Sequence, residues 1–197
     1  MHSTLRKVLA TLAVVGLFGA LAGAGAFSAF SSQTDSPGNV VTAGTVVITD
    51  NDGGTALYNL PTAKPGDTKV SCIRVNYTGS LDADVKLYTA STIGALGPYV
   101  NLQIEPGTQA APSFPSCTGF TPDAGGAIFN GTLTAFQSTY GSYASGLADN
   151  PGTVATKWVN SDAVVYRVTA TLSAATPDAQ QGATTGSHTI TWEARNQ

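Results

Sequence analysis

Short runs in which apolar and polar residues alternate with a period of two dominate this chain. That is the pattern of a strand buried on one face only. Ser71, Ile73, Val75 and Tyr77 alternate with Cys72, Arg74 and Asn76, and Val85 and Leu87 with Asp84 and Lys86. Val100, Leu102 and Ile104 alternate with Asn101, Gln103 and Glu105. Val164, Tyr166, Val168, Ala170 and Leu172 alternate with Val165, Arg167, Thr169 and Thr171. His188, Ile190, Trp192 and Ala194 alternate with Thr189, Thr191 and Glu193. Val46 to Thr49 and Ala56 to Leu60 read as two shorter strands. Turn-forming residues separate the runs, at Asn51-Asp52-Gly53-Gly54, Lys64-Pro65-Gly66-Asp67, Thr78-Gly79-Ser80, Glu105-Pro106-Gly107 and Asn150-Pro151-Gly152. Strands of this kind bury their apolar faces by packing sheet against sheet, which predicts an all-β antiparallel sandwich.

One segment departs from the pattern. Between Gly131 and Leu147, Leu133, Phe136 and Tyr140 recur at helical spacing, which predicts a short helix in a long connection between strands. Ala174 to Ser187, rich in Gln, Gly and Thr, reads as a mobile loop before the last strand.

The N-terminus reads as an export signal. Arg6 and Lys7 precede the apolar run from Val8 to Ala22, and Ala22, Ala24, Ala26 and Ser28 supply the small residues of a cleavage region. Processing is expected between Ser28 and Ala29, with cleavage after Ala26 as the competing site. The alternative is an uncleaved anchor, because Val8 to Gln33 carries no charge and is long enough to span about 30 Å of hydrocarbon as a helix. The Gly/Ala-rich stretch from Ala20 to Ala26 favours cleavage. The expected organisation is therefore a signal peptide over residues 1–28, an arm over 29–45 leading into the first strand, and a single sandwich domain over 46–197. The mature protein is placed outside the cytoplasm, in contact with the membrane only through the precursor's signal segment.

Seven Lys/Arg against twelve Asp/Glu remain beyond Ser28, and no basic cluster is present. That balance argues against a nucleic-acid or anionic-membrane surface built on phosphate contacts. Two cysteines, Cys72 and Cys117, are expected to pair in an oxidising compartment, the alternative being two buried thiols. They cannot build a zinc shell with the single mature histidine, His188, unless carboxylates complete it. Asp50-Asn51-Asp52-Gly53 resembles the opening of a calcium loop, which makes Asp50 and Asp52 weak metal candidates. No Glu stands at the twelfth position, and the same residues favour a hairpin turn, which is the expectation.

Nucleophilic catalysis finds no support in the residues. There is no GxSxG, no phosphate-cradling glycine loop and no free cysteine once the disulfide forms. His188 falls in an alternating run and reads as a sheet residue rather than a base. Asn76-Tyr77-Thr78 and Asn130-Gly131-Thr132 match a glycosylation triplet, a weak pattern in a Thr-rich chain. Trp158, Trp192, Tyr140 and Tyr143 are able to stack on a sugar, although core or rim positions are the expectation. No catalytic residue, metal or cofactor is assigned.

Ala29-Phe30-Ser31-Ser32, followed by Thr42-Ala43-Gly44-Thr45-Val46-Val47-Ile48, resembles the processing region and first strand of the TasA/camelysin family. The likeness continues through Lys64-Pro65-Gly66-Asp67, Asn76-Tyr77-Thr78-Gly79-Ser80-Leu81 and Val85-Lys86-Leu87, and returns at Ile190-Thr191-Trp192-Glu193-Ala194. It covers about half of the mature chain; residues 105–160 carry no matching motif. The cysteine pair departs from cysteine-free members. The resemblance implies a precursor matured by a SipW-type signal peptidase and a jelly-roll-like sandwich. It also implies a fibre subunit of a biofilm matrix or cell surface that self-associates by donor-strand addition. Phe30, Val40 and Val41 of the arm would then be the donor residues, the alternative being that the arm folds back on its own sheet. The family also carries a metallopeptidase label, but no HExxH is present here. A monomeric surface- or carbohydrate-binding module is the other alternative.

Overall fold

The computed structural model describes residues 40–151 and 156–196, together with Ser3 and Lys7. The rest of the expected signal peptide, the Ser28–Ala29 junction and Phe30 lie outside the described residues. By internal contacts the chain separates into two units, Met1–Thr42 and Ala43–Gln197. The second carries every described strand.

Among the described residues nine strands form two antiparallel sheets, the expected all-β sandwich. In chain order they are β1 (Ile48–Asp50), β2 (Thr68–Tyr77), β3 (Asp84–Tyr88), β4 (Val100–Gln109), β5 (Phe120–Pro122), β6 (Phe129–Thr132), β7 (Leu147–Ala148), β8 (Ala163–Leu172) and β9 (Thr191–Arg195). The larger sheet runs β1-β2-β8-β4-β5, with β6 also pairing β4, and the smaller runs β7-β3-β9. Among the chain's crossings between the sheets are those from β2 to β3 and from β8 to β9. Because β2 pairs β8 and β3 pairs β9, the two crossovers interlock.

The period-two runs decide which side chains meet. Thr68 opposes Thr171 and Asn76 opposes Ala163, so Ser71, Ile73, Val75 and Tyr77 face inward beside Val164, Tyr166, Val168 and Ala170. Val85 and Leu87 of β3 close the core from the other sheet with Leu102 and Ile104 of β4, all nearly or fully buried. On the outer face, Arg167 donates from Nε to Glu105 Oε2 at 2.8 Å, and its guanidinium lies 4.7 Å from the Phe120 ring. Cys72 points outward as well. It is buried because the Pro-rich connection folds over it: the Cys72–Cys117 disulfide joins them, and Cys72 N donates to Pro115 O at 3.0 Å.

The expected helix is α1 (Leu133–Thr139). Thr132 Oγ1 caps it by accepting from Ala135 N at 3.1 Å. Leu133 and Phe136 are its buried side chains, and Phe136 meets Phe129 edge-on at 4.9 Å between ring centroids. Among the described residues, no helix is long and apolar enough to cross a membrane.

Several local expectations are corrected. Ala56 to Leu60 forms no strand, since no described strand lies alongside to accept its backbone. The last strand begins at Thr191, which leaves His188 and Ile190 in the preceding connection. Asp50-Asn51-Asp52-Gly53 turns the chain without making a hairpin, because β1 pairs with β2 across a long connection. Ala174 to Ser187 is a loop, as expected, with a 3-10 turn at Asp178–Gln180, and Thr185 O and Thr184 O accept from Gly94 N (2.8 Å) and Leu96 N (3.3 Å).

Candidate functional site

The two sheets are unequal, and that inequality creates the site. Strands lie about 4.8 Å apart, and β5 and β6 share one side of β4, so three strands face a sheet five strands wide and cannot cover its inner face. Beyond β9 the smaller sheet stops, and an open groove of 1240 Å³ runs between the β9 edge and the β1 edge of the larger sheet. Its floor is sandwich interior: Val75, Val100, Ala170 and Leu172. Among the described residues β9 pairs with β3 on one side only, and there the outward N–H and C=O groups along Thr191–Arg195 have no ladder partner. Trp192 stands at the rim, half-buried, with its ring 5.4 Å from that of Tyr166.

Two walls close over this floor. Residues 182–190 form one, fixed to the 91–96 segment by the Thr184 and Thr185 carbonyls and by Thr189 N donating to Ser91 Oγ at 3.1 Å. Residues 54–63 form the other. The walls meet where the Tyr58 hydroxyl lies 2.6 Å from His188 Nε2. His188 Nδ1 lies 3.0 Å from Gly186 O, an obligatory acceptor. In the neutral imidazole Nδ1 therefore carries the proton, Nε2 accepts, and Tyr58 donates. Burial raises the Tyr58 pKa well above the usual range, which keeps the hydroxyl protonated as that donor.

Asp50 and Asp52 stand at the start of the second wall. Their carboxylates are used locally: Asp50 Oδ1 accepts from Asp52 N at 3.2 Å and Asp52 Oδ1 from Gly54 N at 2.6 Å. Gly53 and Gly54 supply the left-handed backbone that this turn requires, with φ of 60° and 79°. Burial raises the Asp50 pKa, and the Asp52 charge adds to this. Among the described residues, no group of three or more His, Cys, Asp or Glu is placed to hold a metal ion.

The candidate sugar-stacking aromatics are not brought together on an open face. Trp158 is fully buried, and its Nε1 donates to Asp149 O at 2.8 Å. Tyr143 is covered by Arg195 and Lys86, whose charged ends lie 4.0 and 5.1 Å from its ring. Tyr140 packs against Phe129 and Phe136. Of the predicted arm residues, Val40 and Val41 are described and are 81% and 98% exposed.

Sequence reasoning missed one buried cluster. Tyr166 Oη, Asp149 Oδ2 and Trp192 Nε1 are all inside the sandwich, with no hydrogen bond of good geometry among the described residues. Burial raises the pKa of Asp149, and the Asp123 charge reinforces this against the opposing Tyr166 hydroxyl. The signal was the polar Tyr166 and Trp192 standing at inward positions of otherwise apolar strands.

Comparison of the chain with protein-family models and with curated protein sequences found no match to either.

Proposed function

We propose that this chain is an exported structural protein, a fibre or matrix subunit of a biofilm or cell surface, that assembles by strand addition. The observation that carries this reading is the β9 edge, unpaired among the described residues, beside a groove floored with core residues. Edge strands are ordinarily blocked; an extended segment laid along an open one gains ladder hydrogen bonds and buries alternate side chains in the groove. The occupant is the arm of a second copy, residues 29–45. Val40 and Val41 are β-branched, exposed and suited to a strand. Phe30 is the arm's large apolar anchor, and burying such a side chain contributes roughly 1.5–3 kcal/mol.

The resemblance to the TasA/camelysin family supports the same reading and supplies the rest of it: maturation by a SipW-type signal peptidase and release to the cell surface. The disulfide is compatible with that compartment. The chain acts as a structural subunit and not as a peptidase; His188 is engaged by Tyr58 and Gly186. Electron microscopy tests the reading. The chain beginning at Ala29 is expected to form filaments on concentration, and the chain beginning at Val40 to stay a folded monomer. Filaments of equal number and length from both chains would overturn it.

A further inference from the structure

The two walls of the groove are held very differently. Residues 182–190 are tied down by backbone hydrogen bonds, as described above. Ala56 to Ala63, by contrast, makes no backbone–backbone hydrogen bond to any described residue. Its ends are pinned in turns: Thr55 N donates to Asp52 O at 3.1 Å, and Asp67 N to Lys64 O at 3.0 Å. Between those pins Leu57, Tyr58 and Ala63 pack half-buried against the core. Among the described residues, the one hydrogen bond that the segment makes is Tyr58 to His188. Such a segment, with apolar contacts but no ladder, belongs to the least stable part of a fold and opens without unfolding the rest.

We propose that Ala56 to Ala63 is a strap covering the place that an added strand takes beside β9, and that the Tyr58–His188 contact is its catch. This rests on the strand-addition reading above. An incoming arm must lift the strap, exchanging the half-buried Leu57 and Tyr58 for its own side chains and gaining the ladder hydrogen bonds that the strap does not make. The fixed wall at 182–190 stays in place and orients the arm along β9. The strap thereby delays assembly, because the monomer's own chain shields the apolar floor until a second copy arrives.

The test uses the mature chain, beginning at Ala29, at a concentration where sedimentation shows a monomer. A synthetic peptide of residues 29–45 serves as the incoming strand. Two readouts are followed: amide hydrogen exchange at Thr191–Arg195, and chymotrypsin cleavage after Leu57 or Tyr58. Excess peptide is expected to slow β9 exchange and to raise strap cleavage at least tenfold. Tyr58→Phe keeps a chymotrypsin site but removes the catch. Without peptide it is expected to raise strap cleavage several-fold, leave exchange in β2 and β8 unchanged, and bind the peptide more tightly. Slowed β9 exchange with unchanged strap cleavage would overturn the strap and leave strand addition standing. Strap cleavage unaltered by Tyr58→Phe would overturn the catch. Failure of the peptide to protect β9 in either protein would overturn both strap and strand addition.

Discussion

Replacing both cysteines, Cys72→Ala with Cys117→Ala, isolates the contribution of the cross-link. The bond closes a loop with a sequence separation of 45. The chain-entropy relation gives about 13 cal/mol/K for such a loop, or roughly 4 kcal/mol at 25 °C, as the stability that the bond confers by restricting the unfolded chain. The native loop has other holds. Pro115 O accepts from Cys72 N at 3.0 Å, and Gln109 Nε2 donates to Ser116 O at 3.0 Å and to Thr118 O at 2.8 Å. The folded state is therefore expected to survive the double substitution, with the loss arising in the unfolded state. Guanidinium unfolding followed by the fluorescence of buried Trp158 reads both effects. The midpoint is expected to fall and the slope m to rise, since an unbridged unfolded chain exposes more surface. On heating, the midpoint should drop by on the order of 10 °C. A loss under about 1 kcal/mol with unchanged m would refute the reasoning, as would collapse of the native hydrogen-exchange pattern in β2.

Three further outcomes follow from the core and the buried carboxylate. Asp149 has a folded pKa raised chiefly by burial, so the unfolded chain releases this proton at lower pH than the folded one. Its ionisation thus costs stability as pH climbs from the unfolded value near 3.9 through the raised folded value, and the cost persists above it. Asp149→Asn is expected to flatten that decline; identical pH profiles of unfolding free energy for both proteins would contradict it. Glu193 acts in the opposite sense. Hydrogen bonds from Arg195 and Tyr88 hold its carboxyl below the usual range, so it adds stability above the unfolded pKa that is lost as pH falls through the folded one. Glu193→Gln should remove that acid-side loss in the same titration. Phe136→Ala empties a fully buried site between Phe129 and Tyr140 and should cost about 3–5 kcal/mol in denaturant unfolding, against under 1 kcal/mol for exposed Val41→Ala.

The sheets were legible in the sequence because four of the period-two runs are the strands that carry the core. Ile73 to Tyr77, Val85 to Leu87, Val100 to Ile104 and Val164 to Leu172 each bury the face that their alternation indicates. Strands β5, β6 and β7 are too short to express a period, and β5 ends on a proline, so they yield no signal. Ala56 to Leu60 shows the reverse error. Its apolar residues do pack on the core, but strand formation needs a partner with free hydrogen-bonding groups, and periodicity records burial rather than pairing. The groove could not be read from local pattern, because it comes from the order of strands: β9 is an edge only because no described strand follows it in the smaller sheet. Nor could the catch, whose two residues stand 130 positions apart. The disulfide was legible for a different reason, as the simplest state of an even cysteine pair in a chain whose N-terminus reads as an export signal.

In the proposed assembly one copy's arm adds to the β9 edge of the next. A cryo-electron microscopy map of filaments grown from the mature chain tests it most directly. It is expected to show a neighbour's segment from residues 29–45 hydrogen-bonded along Thr191–Arg195, over the floor of Val75, Val100, Ala170 and Leu172. Filaments joined through the outer face of the larger sheet, with β9 still unpaired, would contradict it.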